Sequence, residues 1–223
     1  MDLNKLDKLF YAFLLVLLVL SVSIGFSNPD YFDTVFAKED GVVEYSTAIM
    51  LLAIGVLCLY RLIQLNKSKK VLWIIGTVLF TLLFFFGAGE EISWGQRLFD
   101  IESSDFFLEN NAQRETNLHN LVVADKKINK IIFSQLLMVI MALYLLVVPL
   151  LYRKKQWASN LLDSFAVPVV KWHHSIAFIC TTIIIAILPN SRKWEVYELV
   201  FGLMFLLIFI SPFNKTIFEK ELQ

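Results

Sequence analysis

The chain has 223 residues, of which 57% are hydrophobic and 18% are charged, and its mean hydropathy is +0.65. This composition is too apolar for an ordinary soluble domain and predicts an integral membrane protein. Twenty Lys and Arg balance twenty Asp and Glu, so the chain lacks both the basic excess of a nucleic-acid-binding protein and the acidic excess of a solvating tail.

Six apolar runs are candidates for crossing a membrane, since a helix needs about 20 apolar residues to span the hydrocarbon core. They cover residues 9–26, 45–60, 71–89, 131–152, 172–188 and 196–213. Because these runs are continuously apolar rather than alternating, they predict an all-α fold, a single domain over residues 1–223 with about six transmembrane helices. The first run also fits a signal peptide, but its length favours an uncleaved anchor.

The two sides of this predicted bundle differ in charge. The connections on one side, with both termini, carry twelve positive residues and five acids, whereas the other side carries eight positive residues and fifteen acids. Positive residues are retained in the cytoplasm, so we expect a multi-pass protein of the cell membrane with both termini inside.

The outer connection between the third and fourth predicted helices is long, covering about residues 90–130. Loops of this length in compact proteins are usually functional or disordered, and this one is rich in apolar side chains that would pack or lie in the membrane interface. The sequence predicts short interfacial helices here. Ser104 or Asp105 would cap one of them, and residues 113–123 would form another.

Two adjacent acids, Glu90 and Glu91, stand where the third predicted helix meets this loop. If that helix continues, Glu90, Ser93, Trp94 and Arg97 share one face, and Glu91 lies beside Gly87 and Gly95 on another. A carboxylate at such a position is costly unless it is protonated, paired or bound to a cation. The alternative is that both acids only mark the end of a span in water.

Further along the loop, Glu115 and His119 would stand one helical turn apart. That spacing suits a carboxylate that orients an imidazole, or two ligands of one metal, although it also suits a solvated surface contact. Glu44 and Glu198 are expected at a similar depth, at the outer ends of the second and sixth helices. Several acids and one histidine would then converge on an outer-face pocket.

The remaining histidines, His173 and His174, follow Lys171 at the inner end of the fifth predicted helix. A membrane thickness separates them from His119, so we interpret them as interfacial polar residues rather than as part of the same site. Cys58 and Cys180 fall inside predicted helices without a metal-binding spacing, which is typical of small apolar packing residues.

Two segments carry a family resemblance. The sequence GEEISWGQR at residues 89–97 and the pattern QxExxLHN at residues 113–120, with acids at Glu39, Asp40 and Glu44, resemble a family of uncharacterised prokaryotic multi-pass membrane proteins. The resemblance covers about residues 39 to 120. It implies that these outer-face residues belong together, and it implies no activity.

Three hypotheses for function follow from the outer-face residues. The first is an enzyme that acts by acid-base or metal-assisted hydrolysis or transfer on a lipid or lipid-linked substrate. The second is an ion-coupled transporter, because acids inside membranes often bind cations or protons. The third is a non-catalytic assembly or sensory partner whose polar cluster holds the loop on the bundle.

The enzyme hypothesis assigns roles to individual side chains. Glu90 or Glu91 would be the base, and His119, oriented by Glu115, would be the acid. A divalent metal, if one is used, would bind Glu91 and His119. The substrate-binding side chains would be Trp94, Gln96, Arg97, Gln113 and Asn120, with Arg97 holding an anionic head group. The expected partners are the lipid bilayer and that substrate, not nucleic acid.

Overall fold

The computed structural model describes residues 3–97, 99–118, 120–123, 126–127 and 136–220. Over these residues the regular secondary structure is helical, apart from a two-residue antiparallel pair of β1 (Val122–Val123) with β2 (Lys126–Lys127). The α-helices are α1 (Lys5–Ser27), α2 (Pro29–Tyr31), α3 (Val42–Leu65), α4 (Val71–Glu91), α5 (Asp105–Asn110), α6 (Leu137–Ala142), α7 (Val148–Lys154), α8 (Gln156–Ser164), α9 (Trp172–Ala186) and α10 (Lys193–Ile210).

Three helices, α1, α3 and α4, are long and apolar enough to cross a membrane. They correspond to the first three predicted runs, and their length and composition fit the prediction of a membrane protein. In their most apolar stretches only 28%, 28% and 33% of the residues are buried inside the protein. Most of their Leu, Val and Phe side chains therefore face outward, where only lipid would cover so large an apolar surface.

The other predicted runs are also helical, with different bounds. The fourth is interrupted, because α6 and α7 are joined by a π-helical segment at Leu143–Val147, and residues 131–135 lie outside the described part. Pro149 explains the interruption, since it has no N–H to donate to the Leu145 carbonyl. The Ser175 hydroxyl donates to that carbonyl instead, over 2.7 Å.

Helix α10 forms the centre of the bundle. Eleven of its 18 residues are buried, and it packs against α1, α3 and α9. On the α4 side, the ring of Phe209 meets the edges of Phe80 and Phe84 at centroid distances of 5.4 and 4.9 Å. Because α10 is enclosed by its neighbours, charged residues near its first turns are placed against protein rather than lipid.

The connections that follow α1 and precede α10 are tied together at one end of the bundle. Asp33 accepts hydrogen bonds from the Ser191 hydroxyl at 2.9 Å and the Arg192 N–H at 3.1 Å, and Arg192 pairs with Glu39 at 2.8 Å. Slight burial raises the pKa of Asp33, but these hydrogen bonds outweigh it and leave the pKa below its ordinary value. The start of α3, the end of α4 and the start of α10 meet at this end.

Candidate functional site

Helix α4 ends at Glu91, and the chain then turns sharply. Ser93, Trp94 and Gly95 form a 3₁₀ turn with φ angles of 47°, 55° and 77°. The continuous helix on which Glu90, Ser93, Trp94 and Arg97 would share a face is therefore absent, and that prediction is wrong. Left-handed backbone costs about 1 kcal/mol or more at a non-glycine residue, so contacts elsewhere must hold the turn.

The turn folds Trp94 back onto the last turns of α4. Its indole N–H donates to Glu90 Oε1 at 2.8 Å, and its ring packs edge-on against Phe86 at 5.6 Å. Gly89 makes room for the ring, because a Cβ at that position would lie 2.8 Å from Trp94 Cε3. Glu90 Oε2 accepts the backbone N–H of Leu118 at 2.6 Å, so this buried carboxylate joins α4 to the loop.

Glu115 is the second carboxylate that holds the loop. It accepts a hydrogen bond from the Ser93 hydroxyl at 2.5 Å and forms an ion pair with Arg97, which also pairs with Asp40. Asn117 Nδ2 donates to Ser93 Oγ at 2.8 Å. This buried network fixes the left-handed turn, since Ser93 contributes both to the strained backbone and to the hydrogen bonds that offset the strain.

The predicted helix over residues 113–123 is wrong. Asn111 pairs with Leu121 across a β-bridge, and its side chain organises the residues between them. Asn111 Oδ1 accepts the N–H of Gln113 at 2.8 Å, while Nδ2 donates to the Asn117 carbonyl at 2.9 Å. The other loop helix is confirmed as α5, with Ser104 at its N-cap position.

His119 lies outside the described residues, so its pairing with Glu115, its role as the acid and its role as a metal ligand remain predictions. The helix on which that spacing was counted is not formed by the surrounding residues.

The polar residues predicted to bind substrate are engaged within the loop. Gln96 Nε2 donates to Ser103 Oγ at 2.6 Å, and Gln96 Oε1 accepts the N–H of Thr116 at 2.8 Å. Asn120 Nδ2 donates to Gln113 Oε1 at 2.7 Å. These three amides hold the loop together, and Trp94, whose surface is 52% exposed, is the more accessible of the predicted contacts.

A different set of carboxylates faces the end of the bundle. We define the carboxylate cluster as Glu44 of α3, Glu91 of α4, and Glu195 and Glu198 of α10. Each member lies within electrostatic range of others in the set, and each remains partly exposed. The convergence of Glu44, Glu91 and Glu198 is as expected from the sequence.

Sequence reasoning missed Glu195. It precedes Glu198 by three residues, so the two acids lie on the same face of α10. That spacing was a usable signal. Glu195 lies just before the apolar run of the sixth predicted helix, so the run alone does not include it.

The arginines near the cluster form ion pairs with acids outside it. Arg97 pairs with Glu115 and Asp40, and Arg192 pairs with Glu39 while lying within range of Glu44. Among the described residues, no hydrogen bond reaches the carboxylates of Glu91, Glu195 or Glu198. Carboxylates in such a setting repel one another and require protons, water or a cation.

The described acids of this end do not form a compact metal centre by themselves. Over the described part of the chain, the one set of three metal-ligating side chains whose ligand atoms lie within 4.8 Å of each other is Asp7, His173 and His174. These two histidines are buried, so their interpretation as interfacial polar residues is wrong. His173 contacts Tyr11 and Asp7, and these contacts place it against the first turns of α1.

Comparison of the chain with models of known families, with curated proteins and with solved structures gives no match. The resemblance carried by residues 89–97 and 113–120 therefore stays a prediction.

The loop network leads to a stability prediction for Glu115. Glu115→Gln removes the charge that holds Arg97 and should lower the free energy of unfolding by about 2 kcal/mol, the range for a hydrogen bond to a charged group. Glu109→Gln is the matched control, because Glu109 is exposed on α5 and should change stability by less than about 0.5 kcal/mol. Thermal unfolding and limited proteolysis of the purified protein in detergent measure both. Equal stability of the two variants contradicts the assigned role.

Proposed function

We propose that this chain is a multi-pass protein of the cell membrane, with about six membrane-crossing helices and both termini in the cytoplasm. Its activity is acid-base or metal-assisted hydrolysis or transfer on a lipid or lipid-linked substrate, carried out by the carboxylate cluster at the outer face. The observation that carries the proposal is the meeting of four partly exposed carboxylates from three helices at one end of the bundle.

The six-helix topology is supported by the shorter apolar helix α9, by the enclosed helix α10 and by the interrupted run over α6 and α7. The charge division of the sequence supports the orientation. In that orientation the acids of the cluster and the loop are outside, and the Lys-rich connection between α3 and α4 is in the cytoplasm.

Glu91 and Glu198 are the proposed catalytic pair. When two carboxylates lie close together, their mutual repulsion makes one bind a proton more tightly than the other. The protonated carboxyl can then act as the acid and the ionised one as the base. Glu44 and Glu195 add negative charge that would attract a cation or a cationic group of the substrate. His119 keeps its proposed place as an acid or metal ligand delivered by the loop.

Other residues take different roles from those first assigned. Glu90 and Glu115 are positioning residues, because their oxygens accept hydrogen bonds that hold the loop against α4. Arg97 is a weaker candidate for binding a head group, since two carboxylates already neutralise it. Trp94 suits the membrane interface, where an indole ring meets lipid on one side.

A second candidate function is cation-coupled or proton-coupled transport. It is favoured by the location of the cluster, because Glu44 and Glu91 belong to helices long enough to cross the membrane and Glu195 and Glu198 to the central helix. Acids so placed commonly bind the coupling ion. Transport predicts ion flux without any change in the lipid, so the two functions are separable.

The catalytic proposal is tested by incubating the purified protein with a total lipid extract of bacterial membranes and following head-group loss or transfer by mass spectrometry. Glu91→Gln and Glu198→Gln should each reduce turnover by about 100-fold or more, the usual contribution of a general acid or base. Glu102→Gln, at an exposed acid of the same loop, is the control and should keep the wild-type rate.

Equal rates in wild type and both variants contradict the catalytic proposal. If the lipid is unchanged but proteoliposomes show proton or cation flux that Glu91→Gln abolishes, the transport function replaces it.

The orientation is tested with single cysteines at two exposed serines, Ser104 in the loop and Ser68 between α3 and α4. In a chain carrying Cys180→Ala, an impermeant thiol reagent added to intact cells should label Ser104→Cys and leave Ser68→Cys unlabelled until the membrane is permeabilised. Labelling of Ser68→Cys in intact cells contradicts the orientation.

A further inference from the structure

A cluster at the opposite end of the bundle has no place in the proposed reaction. We define the inner triad as Asp7, in the first turn of α1, with His173 and His174, in the first turn of α9. Their side chains are almost fully enclosed, at 1%, 6% and 1% exposed, and one ligand atom from each lies within 4.8 Å of the others. The triad joins parts of the chain that are more than 160 residues apart.

Each member of the triad has one polar atom engaged and another without a partner. Asp7 Oδ2 accepts the N–H of Asn4 at 3.1 Å, and His173 Nδ1 shares a hydrogen bond with the Tyr11 hydroxyl at 2.6 Å. Among the described residues, Asp7 Oδ1, His173 Nε2 and His174 Nε2 are buried without a hydrogen-bond partner. His173 Nε2 comes within 3.7 Å of Asp7 Oδ2, which is too long for a hydrogen bond.

Three unsatisfied polar atoms in one buried place are unusual, because each costs about 1 to 3 kcal/mol when it has lost water without gaining a partner. The cost disappears if one bound species contacts all three. Two imidazole nitrogens and a carboxylate oxygen are ligands that zinc accepts, with a fourth position left for water.

We propose that the inner triad is a divalent metal site, with zinc as the preferred ion. Asp7, His173 and His174 are the ligands, the histidines through Nε2. The Tyr11 hydroxyl is hydrogen-bonded to His173 Nδ1, on the side of the ring away from the proposed metal. Such a partner fixes the orientation and the tautomer of a metal-bound histidine. The site fastens the start of α1 to the start of α9, on the side of the bundle away from the carboxylate cluster.

Two neighbouring groups oppose metal binding and limit its affinity. The N–H of Lys171 donates to His174 Nδ1 over 3.3 Å, a long hydrogen bond that is given up when Nε2 binds a metal and the ring proton moves to Nδ1. The Lys171 ammonium also lies within electrostatic range of both histidines, although Ser211 Oγ holds it at 2.7 Å. Removing that charge should therefore tighten zinc binding.

The test uses the full chain, purified in detergent without a histidine tag, stripped with chelator and titrated with Zn²⁺ alone. Wild type should bind one equivalent at this site, and Asp7→Asn or His174→Gln should each lose it. Asp30→Asn, at an exposed acid of α2, is the matched control and should retain it. Tyr11→Phe should weaken binding by about 10- to 100-fold, as loss of an outer partner does, and Lys171→Met should strengthen it.

X-ray absorption at the zinc edge of the wild-type protein gives an answer that does not depend on variants folding. Two imidazoles with oxygen ligands are expected. Absence of stoichiometric zinc overturns the proposal, as does a spectrum with a single imidazole, which would place the ion with His119 in the outer loop. Retention of zinc by folded Asp7→Asn and His174→Gln overturns it as well. Failure of the outer-face reaction leaves these results unaffected, because Glu91→Gln and Glu198→Gln do not touch the triad.

Discussion

Negative charge at the edge of a membrane protein must be hydrated, protonated, hydrogen-bonded or paired, and the end of the bundle that carries Glu90, Glu91 and Glu115 is organised around that constraint. Two carboxylates about 4 Å apart repel by about 4 kcal/mol at the effective dielectric of a protein surface. A hydrogen bond to a charged group recovers only about 1.5 to 3 kcal/mol. Acids brought together here therefore divide into those that receive several donors and those that need a proton or a cation.

Glu90 and Glu115 belong to the first group. Their donors come from the Trp94 indole, the Leu118 backbone, the Ser93 hydroxyl and the Arg97 guanidinium. These contacts explain how the described turns at residues 92–97 and 111–118 are held against α4, and why a left-handed turn at Ser93 and Trp94 is tolerated. Glu90 and Glu115 hold the loop in place, and groups of the loop donate the hydrogen bonds that stabilise their charges.

Glu91 and Glu198 belong to the second group. Their neighbours are other acids, Glu44 and Glu195, and the nearby arginines are engaged elsewhere. Enclosure of α10 by its neighbours places its two acids against protein, where their ionisation is sensitive to anything that binds. The arrangement has the features of a site in which protons or cations are exchanged, which is the basis for assigning chemistry to it.

The sequence predicted the helices and the acids at their ends, because these depend on local residue patterns. Apolar runs located α1, α3 and α4, and helix ends placed Glu44, Glu91 and Glu198 at a common depth. The turn at Ser93 was not predictable in this way, because the helix period continues through Arg97 and only contacts with Glu115 and Asn117 stop it. Asn111 gave no sign of organising the loop, since its partners are set by tertiary folding.

The same reason applies to the inner triad. Asp7 and the two histidines are separated by most of the chain, and no spacing rule connects them. Charge counting assigned all three to the same predicted side of the membrane without predicting that they are buried. Their burial follows from the packing of α1 against α9 and α10, which only the folded structure reveals.

The convergence of Glu91 of α4 with Glu198 of α10 at one end of the bundle is central to the proposed site. Its most direct test is cross-linking of Glu91→Cys with Glu198→Cys by a bifunctional thiol reagent with a short spacer, in a chain carrying Cys180→Ala. We expect an efficient intramolecular cross-link for this pair and none for Glu91→Cys with Ser68→Cys, which the length of α4 separates by about 30 Å. If Glu91→Cys and Glu198→Cys each react with the reagent but do not become linked, the two carboxylates do not converge and the proposed site is wrong.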